Sequence, residues 1–166
     1  MVLKRLTFHL HSHNLLPEEQ YGFRDGHSTT DQLLYFCQRI RDAHNRKFTN
    51  HTVVVFLDLS KAFEKVWNNF LVIKLYKMFG TGGKVLPWIY DFLRNRLIRV
   101  KFNNFLSRSF SFFQGVPQGS VLSPTLFSLY LSGTESFIKR KCEVGAFADD
   151  IVLWKTDSDL TKLERH

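Results

Sequence analysis

Apolar positions along the chain follow two periods, and the alternation between them sketches the elements. Residues 2 to about 14 carry Leu3, Leu6 and Leu10 at helical spacing, which predicts a short helix. "LLPEEQYGFRDGHS" breaks that pattern with Pro, Gly and Asp and reads as a loop. Ser28 and Asp31 fit a capping box, and Leu33, Leu34, Cys37 and Ile40 recur behind it with the period of a helix. "HTVVVFLDL" is an unbroken β-branched run, the pattern of a strand buried on both faces. Helical spacing returns at Ala62, Phe63, Val66 and Phe70, and Leu71, Leu75 and Phe79 carry it to a glycine break at 80–83.

Val85, Trp88, Ile89 and Phe92 mark a further amphipathic segment from 84 to about 95. Ile98, Val100 and Phe102, then Phe110 and Phe112, alternate as the two strands of a hairpin. After the loop "QGVPQGS", the stretch "LSPTLFSLYLSGTESFIKR" opens a helix with Ser123 as N-cap and Pro124 in the first turn. Residues 144–147 and 151–154 flank Asp149 and Asp150 as a second hairpin. Helices interleaved with strands, at least one pair of them antiparallel, predict an α+β fold with helices layered on a sheet.

Composition narrows the partners. The 166 residues suit one domain or one subdomain, and 44% hydrophobic content with 17 Phe is enough for a substantial core. A formal net charge of +8 favours a polyanion, either nucleic acid or an acidic membrane surface. The membrane is the weaker choice, because Leu3, Leu6 and Leu10 give the first helix only a narrow apolar face. No apolar run approaches the roughly 20 residues of a membrane span, and "MVLKRLTFHLHSHN" lacks the apolar core of a secretory signal. Cys37 and Cys142 are the only cysteines, which excludes a disulfide framework and a cysteine zinc site and leads us to expect an intracellular, reducing setting. Between Asp91 and Glu135 there is no acidic residue, yet Arg94, Arg96, Arg99, Lys101 and Arg108 all fall there. A salt-sensitive phosphate track and an ordinary solvated hairpin both fit that run.

The candidate chemistry lies in "VGAFADDIVLW". Two adjacent carboxylates about 4 Å apart repel by roughly 4 kcal/mol at an effective dielectric near 20, so their placement at a hairpin tip asks for a counter-charge. A solvated turn is the plain alternative. Asp58 ends the apolar run "VVVFL", where it is placed either for function or as the N-cap of the segment that follows. If the strands at 53–57 and 144–147 are neighbours, Asp58 meets Asp149 and Asp150 at one end of a sheet. Three carboxylates with no nearby Cys or His form an all-oxygen site for Mg²⁺ or Mn²⁺. Two such cations about 3.5–4 Å apart support in-line phosphoryl displacement.

"FLDLSKAFEKVW", "QGVPQGSVLSPTLF" and "FADD" occur in that order, preceded by "LLPEEQYGFRDGHSTTDQLL". In these blocks the chain resembles the reverse transcriptase of non-LTR retrotransposons, closest to the jockey-like elements, from about Leu15 to about Thr156. The resemblance implies a right-hand polymerase palm, an antiparallel sheet with a ferredoxin-like core backed by helices, over 51–166, with a fingers-side segment over 1–50. It implies RNA-directed DNA polymerase activity, in which an RNA template, a DNA primer and a dNTP are the partners and two Mg²⁺ ions the cofactor. Asp58 and Asp149 would ligate both ions, Asp150 would complete the acidic pair, and the Leu59 carbonyl would be a further ligand.

By the same resemblance, Phe63 matches the aromatic that gates the sugar of the incoming nucleotide, with a core phenylalanine as the other reading. Gln118 and Gly119 would lie beside the nascent base pair, and Gly115 and Gly119 would let backbone approach nucleic acid closely. Arg24 would meet template backbone or nucleotide phosphate, unless "RDG" is simply a solvated turn. Arg94, Arg96, Arg99 and Lys101 would follow the template and primer. Glu64 and the "NN" after Trp67 depart from the family's more frequent Asp and His, and neither touches a metal ligand. The family's triphosphate-binding fingers motif, the rest of its palm, its primer grip, thumb and endonuclease are expected outside these residues. A non-catalytic nucleic-acid-binding remnant therefore stays open beside the polymerase. The expected location is the nucleus or a cytoplasmic ribonucleoprotein.

Overall fold

The computed structural model describes residues 1–46 and 49–164. Helix α1 (Val2–Ser12) is followed by α2 (Thr29–Arg46), strand β1 (His51–Asp58) and a 3₁₀ turn at Phe63–Lys65. Helices α3 (Asn68–Lys77) and α4 (Val85–Leu93) precede four short strands, β2 (Arg96–Ile98), β3 (Lys101–Phe102), β4 (Phe105–Leu106) and β5 (Phe110–Phe112). Helices α5 (Ser123–Leu131) and α6 (Thr134–Ile138) lead to β6 (Glu143–Phe147), β7 (Asp150–Asp157) and α7 (Leu160–Glu164). The chain forms two compact units, one of Leu16–Ser60 with Leu131–His166 and one of Met1–Leu15 with Lys61–Tyr130.

The first unit is built on an antiparallel sheet ordered β1-β7-β6. Its helix α2 starts as the capping box requires: the Asp31 carboxylate accepts from the Ser28 amide at 2.8 Å, and the Asp31 amide donates to the Ser28 hydroxyl at 3.2 Å. Trp154 of β7 is buried, and Phe36 and Tyr35 of α2 meet it edge-on with centroids 5.2 and 6.3 Å away.

That aromatic contact sets the rotation of α2. The stripe turned inward is Gln32 with half-buried Phe36, Ile40 and Ala43; of the expected stripe Ile40 faces inward, and Leu33, Leu34 and Cys37 are exposed. Strand β1 departs from expectation too. Among the described residues it is an edge strand bonded to β7 alone, and Val53, Val55, Phe56 and Leu57 are all exposed. A β-branched run reads the same whether its faces are covered or open, so the pattern established the strand and not its burial. The neighbour of β1 is β7, which lies between β1 and β6; the two strands taken as neighbours are separated by the return arm of the hairpin.

In the second unit the core is helical. Leu6 and Leu10 of α1, Leu71 and Leu75 of α3, Ile89 and Leu93 of α4, and Leu126 and Phe127 of α5 are buried. Each such side chain contributes about 1.5–3 kcal/mol relative to exposure. Two buried polar groups knit the helices together: Asn68 donates to the Leu93 carbonyl at 3.1 Å, and the Lys74 ammonium donates to the Tyr130 carbonyl at 2.6 Å. The expected hairpin forms as two ladders, β2 with β5 and β3 with β4. The helix expected from Ser123 onward is interrupted at Gly133, whose φ of +87° suits only glycine well, so α5 and α6 are separate.

Candidate active site

The acidic residues come together at one end of the first unit's sheet. Asp58, the last residue of β1, is the register partner of Asp150, the first residue of β7. Phe147 also pairs with Asp150, so Ala148 and Asp149 form a two-residue hairpin turn. The Leu59 amide donates to the Asp149 carbonyl at 3.4 Å, tying the exit of β1 to that turn. Asp58 and Asp150 are exposed and Asp149 is partly exposed. Like charges placed directly opposite on adjacent strands are destabilising, so this end of the sheet favours a cation.

The donor set consists of carboxylate and carbonyl oxygens, which suits a hard divalent ion. Among the described residues no three His, Cys, Asp or Glu side chains gather closely enough to hold a metal ion between them. An open arrangement fits Mg²⁺, which dehydrates reluctantly and is commonly held by one or two carboxylates with substrate phosphates completing its shell. Asp58, Asp149, Asp150 and the Leu59 carbonyl are therefore the groups that could hold it.

The nucleotide-side candidates fall in the second unit. Phe63 begins the 3₁₀ turn and stacks on Phe127, with centroids 4.4 Å apart and planes 16° from parallel, while remaining partly exposed. It is both a packed ring and an accessible one. The loop at 114–120 is pinned to this turn, since the Val116 amide donates to the Phe63 carbonyl at 2.8 Å and the Gly115 amide to the Val66 carbonyl at 2.7 Å. Gly115 makes its close approach to the chain's own backbone: a methyl group there would sit 2.6 Å from the Glu64 carbonyl oxygen, and its φ is +86°. Gly119, at φ +81°, faces open space, and Gln118 beside it is exposed.

The basic candidates separate into committed and available groups. Arg94 bonds to Asp91 at 2.8 Å and lies over the Tyr90 ring at 4.4 Å; the Tyr90 hydrogen bond, then Asp91, push its pKa up. Arg96 lies over the Phe92 ring at 4.5 Å, and its Nη1 is buried with no hydrogen-bond partner among the described residues. Arg99 donates to Ser109 at 2.7 Å. Arg96, Arg99, Gln118 and Glu64 are among the residues that line one concave surface of about 500 Å³. Lys101 is exposed on β3. Arg24, in the first unit, spends one guanidinium nitrogen on the Pro17 carbonyl at 2.9 Å, which braces its own loop.

Reading 15–28 as a plain loop missed Gln20. Its side chain is buried and bonded to Ala148, next to the aspartates. No periodicity marks a lone buried amide in a turn-rich stretch, and the only local signal was the glycine two residues on.

Helices against an antiparallel sheet with aspartates at its end define an α+β fold of the polymerase-palm class. Telomerase from Candida tropicalis in complex with a TWJ fragment of telomeric RNA has the same fold over 99% of this chain and 29% of its own, with a TM-score of 0.72 and 14% identity. Candida albicans telomerase with its TWJ fragment gives 0.73 at 13% identity, over 99% of this chain and 31% of its own. The family model for reverse transcriptase (RNA-dependent DNA polymerase) matches residues 1–166, and the chain belongs to that family. Among its relatives are two proteins of Drosophila melanogaster. The probable RNA-directed DNA polymerase from transposon BS is 32% identical over 159 residues, covering 92% of this chain and 17% of that protein. The RNA-directed DNA polymerase from mobile element jockey is 33% identical over 167 residues, covering 96% and 18%. The chain thus spans under a fifth of the length of these curated relatives.

Proposed function

We propose that this chain carries the catalytic centre of an RNA-directed DNA polymerase of a non-LTR retrotransposon, which transfers dNMP from a dNTP to a primer 3′-hydroxyl on an RNA template. The observation that carries the reading is the register that sets Asp58 against Asp150 with Asp149 in the adjoining turn. Asp58 and Asp149 would hold two Mg²⁺ ions, Mn²⁺ being an alternative, with Asp150 and the Leu59 carbonyl as further oxygen ligands. Bound there, the ions would acidify the 3′-hydroxyl and offset the negative charge that builds at phosphorus. The protein's own contribution is to hold carboxylates where that charge is neutralised, which is positioning and electrostatics. Phe63 packs beneath the incoming sugar, and Gln118 and Gly119 border the base pair. Arg24, Arg94, Arg96, Arg99 and Lys101 meet phosphates. Residues 51–166 serve as palm and 1–50 as the fingers side, and the polymerase works in the nucleus or a cytoplasmic ribonucleoprotein.

Mg²⁺-dependent primer extension on an RNA template tests the proposal, with Asp149→Asn as control. Extension by the wild-type chain, reduced at least about 100-fold in the variant, is the expected result. The second reading, a non-catalytic nucleic-acid-binding remnant, is favoured by the concave surface at Arg96 and Arg99, which belongs to a different compact unit from the aspartates. A folded chain that binds RNA with no response to Mg²⁺, dNTP or Asp58→Asn would select it.

A further inference from the structure

We propose that Gln20 is the positioning residue of the acidic centre: its side-chain amide clamps the backbone of Ala148 and so sets how Asp149 and Asp150 leave the hairpin turn. The metal-binding role of the aspartates rests on the function proposed above; the clamp rests on geometry within one compact unit.

Ala148 is the first central residue of the turn, with φ +58°, a region that residues other than glycine adopt uncommonly. Its amide and carbonyl stand outside the β6–β7 ladder, where turn groups ordinarily meet water. Here the residue is 8% exposed, so both groups need partners from the protein. Gln20, itself 6% exposed, supplies them. Its Oε1 accepts from the Ala148 amide at 3.0 Å and from the Gly22 amide at 3.0 Å, and its Nε2 donates to the Ala148 carbonyl at 3.2 Å. A carboxamide offers donor and acceptor in one neutral planar group, as a peptide does. Leu or Met would fill the space with neither. Glu would keep the acceptor and add a carboxylate beside Asp149 and Asp150.

The segment carrying Gln20 is laid against β6 with little freedom. The Ala146 amide donates to the Glu19 carbonyl at 2.8 Å, and the Tyr21 amide donates to the Ala146 carbonyl at 2.9 Å. At Gly22 a methyl group would collide with the Ala148 nitrogen, which explains a glycine at this point of the loop. On its other side Asp149 is tied through its carbonyl to Leu59. The residue before Asp149 and the carbonyl of Asp149 are thus both held, and the carboxylate projects from a fixed turn.

The test uses the full 166-residue chain with Gln20→Leu, which preserves volume and removes all three bonds, and Gln20→Glu, which keeps the acceptor. Two readouts are taken: amide exchange at Ala148 relative to Gly145 of β6, whose register partner is Val152 of β7, and the Mn²⁺ concentration that broadens the resonances of Asp149 and Asp150. We expect Gln20→Leu to speed Ala148 exchange about tenfold or more with Gly145 still protected, and to weaken Mn²⁺ binding about tenfold or more; Gln20→Glu recovers part of the exchange protection. Should Gln20→Leu not fold, Gln20→Glu is scored on Ala148 exchange alone, because its added carboxylate itself attracts Mn²⁺, and an intermediate loss of protection supports the clamp. Unchanged Ala148 exchange in a folded variant, or wild-type Mn²⁺ affinity in folded Gln20→Leu, overturns it. Asp149→Asn separates the two claims. If that variant binds Mn²⁺ like the wild type, the metal reading fails and Ala148 exchange alone decides the clamp.

Discussion

The chain contains two hairpins whose tips have the same local geometry and opposite surroundings. Between β6 and β7 the turn is Ala148 and Asp149; between β3 and β4 it is Asn103 and Asn104. Each puts a positive φ on its first central residue, +58° at Ala148 and +51° at Asn103. Asn tolerates that region, and its hairpin stands in solvent with Phe102 and Phe105 about three-quarters or more exposed. Ala tolerates it less; it is buried, and both its amide and its carbonyl are bonded to the Gln20 side chain. Turn chemistry suffices for a hairpin that stands in solvent. Where a turn residue is buried, its backbone needs partners from the protein, and tertiary bonds overrule local preference.

Substitutions at the two tips test that contrast most strongly. A β-branched side chain is poorly suited to the left-handed region, so Ala148→Val is expected to lower unfolding free energy by about 2–3 kcal/mol and Asn103→Val by about 1 kcal/mol, read from urea denaturation. Equal losses would mean that the clamp adds nothing to the turn. A smaller effect is expected on the basic surface. Arg96→Ala and Arg99→Ala should each reduce the slope of log affinity against log salt by about 1 for RNA binding, with no preference among sequences. Arg94, already engaged by Asp91 and Tyr90, should change that slope least.

The smallest effect concerns the start of α2, which packs behind the buried turn's sheet. Hydrogen bonds from the Ser28 hydroxyl and amide lower the Asp31 pKa. A carboxylate depressed in the folded state adds stability that is complete above its unfolded pKa, near 4, and is lost as pH falls through the folded value. Acid titration of thermal stability should therefore show a loss below about pH 4 that is reduced in Ser28→Ala. The β3–β4 hairpin, with no acidic residue in it, should contribute nothing to that loss.

Much of the fold was legible because its elements announce themselves locally. The capping box of α2, the helical spacing of Leu71, Leu75 and Phe79, and the alternation at Phe110 and Phe112 depend on neighbours within a few residues. The aspartate constellation was legible too, since adjacent acids between apolar runs and an acid ending a β-branched run are unusual enough to pair. Misjudgements arose where a distant partner decides. Nothing within "TTDQLLYFCQRI" says that Trp154 will select the Phe36 face over the Leu33 and Leu34 face. Nor does "VVVFL" say how many strands will flank it.

The sequence by itself determined most of the elements, the family, and the expectation that Asp58 would lie near the Asp149–Asp150 turn, because periodicity, caps and motif spacing are properties of short segments. Only the tertiary structure decided that β7 lies between β1 and β6, that Asp58 faces Asp150, and that Gln20 crosses to Ala148. Strand order and a buried hydrogen bond between residues far apart in the chain are settled by which groups must escape water together, and no local window of sequence contains both partners.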